Sequence, residues 1–141
     1  MIVLDTNVIS EFLKEAPAPQ VARWLDSQIR SAIFSTSVSQ AEILYGVNLL
    51  PPGRRQTGLE EAANRVFQQT FAGRLLAFDS DAARAFGVLV ADRRRAGRPI
   101  SFPDAQIAAI ARSRGAAVAT RNIRDFEGTG VALIDPWQTE V

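Results

Sequence analysis

The residues of this chain that can do chemistry are carboxylates, amides and hydroxyls, because its 141 residues include no His and no Cys. Without those side chains there is no thiolate nucleophile, no Ser-His-Asp triad and no ordinary zinc site. A bound metal would take oxygen ligands, which selects a hard divalent cation such as Mg²⁺ or Mn²⁺. The polar groups that could supply those oxygens recur in one kind of place, just past an apolar run or in the first turn of an apolar helix. They are Asp5, Thr6 and Asn7; Glu42; Asp79 and Asp81; Asp104; and Thr120, Asn122 and Asp125. Carboxylates gathered in one place raise each other's pKa values unless a cation sits among them. A divalent ion there could polarise a phosphoryl oxygen and acidify a water.

Each acid also has a purely structural explanation. An acid in the first turn of a helix gains ~0.3–1 kcal/mol from the helix dipole, enough to account for Asp79, Asp81 and Asp104. Glu42 lies three residues after Ser39, the spacing of a capping box. Asp125 suits a turn and Asp5 an N-cap. Asp79 and Asp81 are assigned the structural role. Asp5 is different, because it follows a buried strand directly, where ligands bind in an open parallel sheet.

The elements that must position these groups follow from the apolar pattern. Met1–Leu4, 32–36, 75–78, 116–120 and 131–134 are short apolar runs with polar exits, and read as strands. Between them lie helical patterns from Thr6, over 19–30, over 37–50 through Val38, Ala41, Leu44, Tyr45 and Leu49, and around 59–71. Two more run from Asp79 to Arg95 and over 104–114, the second opened by Pro103 at its first position. Alternating strands and helices predict one α/β domain over residues 1–141, a mostly parallel sheet of about five strands with helices on both faces. All strand exits, and the polar residues with them, then share one edge.

Composition narrows the partners only slightly. The net charge is +1, and fifteen of the sixteen basic residues are Arg, the exception being Lys14. Arg93, Arg94, Arg95 and Arg98 form a basic cluster that could follow an RNA backbone, or simply complement a helix C-terminus. No apolar run approaches the ~20 residues of a membrane span, and the start lacks the basic segment of a signal peptide, so a cytoplasmic protein is expected.

Four ordered segments carry a family resemblance: IVLDTNVISEF at 2–12, SVSQAEILYGV at 37–47, PDAQIAAIA at 103–111 and ATRNIRDFEG at 119–128. The sequence resembles the PIN-domain nucleases, and among them the VapC-type toxins of toxin–antitoxin pairs, especially the FitB-like branch. The resemblance implies a three-layer α/β/α fold and a metal-dependent endoribonuclease. It implies that Asp5, Glu42 and Asp104 are the core acids, with Asp5 and Asp104 as ligands of Mg²⁺ or Mn²⁺. A fourth acidic position falls on Asn122 or Asp125, and Thr6, Asn7 and Thr120 support the site. It also implies an antitoxin lying in a groove beside the acids, and a homodimer. Phe12, Trp24 and Tyr45 could line that groove, although most of them read as core. Three rivals stand beside this reading. A haloacid-dehalogenase-type phosphatase wants an acid where Asn7 stands. A response-regulator receiver wants a Lys late in the chain. A PIN-like module that binds RNA without cutting it would have lost an acid.

Overall fold

The computed structural model of the chain describes residues 1–139. Five strands form one sheet: β1 (Ile2–Leu4), β2 (Ile33–Thr36), β3 (Leu75–Leu76), β4 (Ala117–Ala119) and β5 (Leu133–Ile134), in the order β3-β2-β1-β4-β5, every pairing parallel. The α-helices are α1 (Thr6–Glu11), α2 (Pro19–Asp26), α3 (Ser37–Asn48), α4 (Arg54–Arg65), α5 (Ser80–Arg95), α6 (Phe102–Ser113) and α7 (Ile123–Phe126). Each strand is a residue or two shorter than its apolar run, because the ends of each run serve as caps and turns. The helix from Pro19 stops at Asp26, and a 3₁₀ turn over Arg30–Ala32 leads into β2.

Alternation along the strands divides the interior into two layers. Val3 and Val118 pack on one face with Ala82, Leu89, Ile107 and Phe126, from α5, α6 and α7. Leu4 and Ala119 pack on the other with Val8, Val21, Trp24, Ile43 and Phe67. This is the α/β/α sandwich expected of a sheet buried on both sides.

Two local devices set the edge that matters. Asp5 N–H donates to Ala119 O at 2.9 Å, tying the exits of β1 and β4 together. At the far end of α6, Gly115 adopts φ 64°. Its N–H bonds Arg112 O at 3.2 Å and the N–H of Ala116 bonds Ala111 O at 2.9 Å. This Schellman cap turns the chain straight into β4, whose exit carries Thr120.

Helix α3 departs from expectation. Its buried residues are Ser39, Ile43 and Val47, whereas Tyr45 and Leu49 are 68% and 67% exposed. Its apolar and polar residues are interspersed around the axis, so the sequence marks no stripe, and packing against α1 and α4 selects the face. Trp24 is core, and Phe12 is partly exposed with its ring edge-on to Phe71 at 5.7 Å.

Candidate metal centre and nucleic-acid site

Asp5 is the N-cap of α1 and almost wholly buried. Its Oδ1 accepts the Thr6 N–H at 2.8 Å and its Oδ2 accepts the Thr120 hydroxyl at 2.7 Å. Thr120 Oγ1 in turn accepts the Asn122 N–H at 3.0 Å and lies 3.5 Å from Asn7 Nδ2. Asn7 Oδ1 accepts the Arg121 N–H at 3.3 Å. The register Leu4↔Ala119 places these groups opposite one another. Thr6 and Thr120 therefore bond Asp5 directly, and Asn7 and the backbone of Asn122 reach Thr120.

Glu42 arrives from α3. Its Oε1 accepts the Thr6 hydroxyl at 2.7 Å, and Thr6 Oγ1 lies 2.9 Å from Ser39 Oγ. Thr6 has one hydroxyl proton, so Ser39 must be the donor in the second contact. The chain Ser39–Thr6–Glu42 replaces the capping box drawn from sequence. The cap of α3 is Thr36, the last residue of β2, whose Oγ1 accepts the Ser39 N–H at 3.1 Å. Its extended backbone suits an N-cap, leaving Ser39 buried inside the first turn and free to orient Thr6.

Asp104 stands in the first turn of α6. The cap is Ser101, whose Oγ accepts the Asp104 N–H at 3.4 Å. Pro103 is thus the second helical residue, one later than the sequence suggests, and still among the positions whose N–H has no helical partner. Asp125 lies in α7, with its N–H on Asn122 O at 3.0 Å. Asp79 and Asp81 keep the structural roles assigned to them. Asp79 caps α5 by accepting the Ala82 N–H at 2.9 Å, and exposed Asp81 pairs with Arg84.

The electrostatics single out the same group. Burial above all, with the charges of Asp104 and Glu42 adding to it and the Thr120 and Thr6 bonds opposing it, pushes the Asp5 carboxyl up to about 6. Burial likewise raises Asp104; the charges of Asp125 and Glu42 add to that, while Ser101 and Arg93 oppose it. Among the described residues no three acidic side chains close around one point. The donor set still fits Mg²⁺ or Mn²⁺, because such ions bind through one or two carboxylates and keep several waters, and a cation offsets the burial and the mutual repulsion that raise both pKa values.

The basic cluster does not form a surface. Arg93 is 6% exposed. Its Nε donates to Arg98 O at 2.6 Å and its Nη1 to Glu127 O. Arg98 pairs with Glu127 at 3.0 Å and Arg95 with Asp92 at 3.5 Å. Only Arg94 points into solvent without an acidic partner among the described residues. Consecutive helix residues point about 100° apart, so three adjacent Arg cannot share a face.

Beside the acids, Thr6, Ser10, Leu13, Glu42, Gly46 and Leu59 line a groove of about 340 Å³ between α1, α3 and α4. No helix among the described residues is long and apolar enough to cross a membrane.

Comparison with known proteins places this site in context. A family model described as "PIN domain" matches residues 2–131. The chain is 40% identical over 138 residues to a plasmid stability protein, StbB, of Pseudomonas syringae pv. tomato, covering 98% of this chain and 99% of that protein. It is 38% identical to the VapC ribonuclease Y4jK of Sinorhizobium fredii, with the same coverage. Among solved structures, FitAB bound to an IR36 DNA fragment superposes with a TM-score of 0.91 at 37% identity, over 100% of this chain and 99% of that one.

Proposed function

This chain belongs to the PIN-domain family, and on that premise we propose that it is a divalent-metal-dependent endoribonuclease acting in the cytoplasm as the toxin of a toxin–antitoxin pair. The observation that carries the reading is the buried Asp5 at the exit of the central strand, facing the charges of Asp104 and Glu42. Asp5 and Asp104 are the direct ligands of Mg²⁺ or Mn²⁺. Glu42, oriented by Ser39 through Thr6, and Asp125 complete the acidic set, and the charge of Asp125 facing Asp104 favours it over neutral Asn122 for the fourth position. A divalent ion held there supplies a Lewis acid for the phosphoryl oxygen and lowers the pKa of water.

The protein's own groups do the rest. Thr6 N–H and the Thr120 hydroxyl fix both oxygens of Asp5 in one orientation, leaving a lone pair on each to face outward. Asn7 and the Asn122 N–H hold Thr120, so the support is itself supported. The whole chain works as one PIN unit. Its substrate is RNA. The antitoxin places a segment in the groove between α1, α3 and α4, next to Glu42, and the toxin is a homodimer.

The test is RNA cleavage by purified protein. Wild type should cut RNA when Mg²⁺ or Mn²⁺ is added and stop when EDTA removes it. Asp5→Asn should lower the rate at least 100-fold, the scale on which a lost charge-stabilising group acts, with the far-ultraviolet circular dichroism unchanged. Undiminished cutting by the folded variant would sink the assignment. RNA retention without metal-dependent cutting by wild type would favour a binding module.

A further inference from the structure

Arg121 follows Thr120, whose hydroxyl holds Asp5, and its own N–H is bonded to Asn7. It is exposed, and its guanidinium carbon lies 5.0 Å from the centre of the Trp137 ring. The two residues meet because β4 and β5 are parallel neighbours in the register Ala119↔Ile134, so the chain leaves both at one edge. The indole is a fixed plate. Trp137 is partly buried against the layer containing Leu4 and Ala119, and its backbone N–H donates to Asp135 Oδ1 at 2.9 Å, which fixes the chain that carries the ring.

What marks Arg121 is its place at the exit of β4, next to Thr120, together with an aromatic rather than an acidic partner. Arg84, Arg95, Arg98 and Arg114 each reach a carboxylate. Arg121, beside the acidic centre, reaches none among the described residues and lies on an aromatic face instead. Stacking of that kind uses the face of the guanidinium and leaves its in-plane N–H fork open. A fork resting on an aromatic face, with no carboxylate partner among the described residues, matches the oxygens of a phosphate, and a cation at an acidic edge offsets the repulsion an incoming polyanion would meet.

We propose that Arg121, held over Trp137, grips a backbone phosphate of single-stranded RNA next to the one being cut, and so sets where the strand crosses the acidic centre. The proposal rests on the ribonuclease reading above. Arg121 acts by binding and positioning substrate, and its loss should be felt in KM and in salt dependence more than in kcat.

The experiment measures retention of labelled poly(U) by the Asp5→Asn protein over a KCl series, and cleavage kinetics in the background with Asp5 intact. Arg121→Gln should weaken binding about tenfold at low salt, the scale of one charge-assisted hydrogen bond. It should also make the slope of log affinity against log salt shallower by about 0.7, the share of one phosphate on a single strand. In cleavage, KM should rise by a similar factor with kcat within about twofold. Arg121→Lys should keep the slope while losing part of the affinity. Trp137→Leu should do the same, because the charge remains and only its support is gone. A loss of affinity at unchanged slope, or no loss, for a folded Arg121→Gln protein overturns the contact while leaving wild-type cleavage to stand. A wild type that neither binds nor cuts RNA overturns the ribonuclease reading and the contact together.

Discussion

Asp5 is costly to the fold that holds it. An ordinary aspartate loses its proton near 3.8; here burial moves that to about 6. The sign matters. Between those values the folded protein holds more protons than the unfolded chain, so this residue's contribution to stability falls as pH rises through that window. At pH 7 the metal-free protein therefore carries a destabilising buried charge, with a ceiling of about 3 kcal/mol set by the displacement. Asn at this position keeps the N-cap through Oδ1 and removes the charge, at the loss of the bond that Oδ2 accepts from Thr120. In EDTA, Asp5→Asn should be more stable than wild type by about 1–3 kcal/mol at pH 7, and the gap should narrow as pH is lowered through about 5. Denaturant melts at the two pH values measure it, and a variant less stable at pH 7 would refute the assignment of strain to Asp5. The same protein that has lost cleavage would thus have gained stability, as expected where a site is kept for function rather than for folding. Asp5 was legible in the sequence because the change from IVL to Asp-Thr-Asn is abrupt. Its support by Thr120 was legible only as two strand exits sharing an edge; the bond between them depends on the β1–β4 register.

At the scale of elements, the informative failures are on helices. The three adjacent Arg of α5 look like one basic patch in sequence, yet they point in different directions and only one reaches the interior. Arg93 joins the C-terminal end of α5 to the carbonyls of Arg98 and Glu127. Its charge also holds the Asp104 carboxyl lower than burial alone would leave it. Arg93→Ala should cost about 2 kcal/mol, because two acceptors lose a charged donor, and Arg94→Ala should stay within about 0.5 kcal/mol. Thermal melts of the two variants decide the matter; equal and small effects would return Arg93 to the surface. Helix α3 teaches a related lesson. Its apolar residues surround the axis, so periodicity cannot select Ile43 and Val47 over Leu49, and the hydroxyl chain from Ser39 to Glu42 exists only because α1 packs alongside. Spacing alone suggested a capping box, but the cap had already been taken by Thr36, one residue before the helix begins.

At the scale of the whole molecule, parallel pairing sends every strand exit to one edge, and that is why a sheet of short strands can bring Asp5 onto Thr120 and, through Thr6, next to Glu42. This consequence follows from alternating strands and helices, and the strand order adds that β1 lies centrally, between the strands that lead to Glu42 and Thr120. The pairing of Arg121 with Trp137 could not be read from spacing, because it is the β4–β5 register that brings them together. The groove beside Glu42 was equally hidden, since its floor is the misjudged face of α3. Gly46 tests what that groove is for. It lies on α3 along the groove wall, and a Cβ built there meets nothing within 4 Å. Leu at this position would fill the groove without disturbing the core, and replacing a helical Gly should add about 0.5–1 kcal/mol of stability. If the groove receives the antitoxin, Gly46→Leu should weaken the complex at least tenfold by titration calorimetry, since overpacking a contact costs about 1–3 kcal/mol, while metal-dependent RNA cleavage persists. In cells the variant should arrest growth even when the antitoxin is co-expressed at a level that protects against wild type. An undiminished complex would move the antitoxin off this face and leave the groove as space between helices.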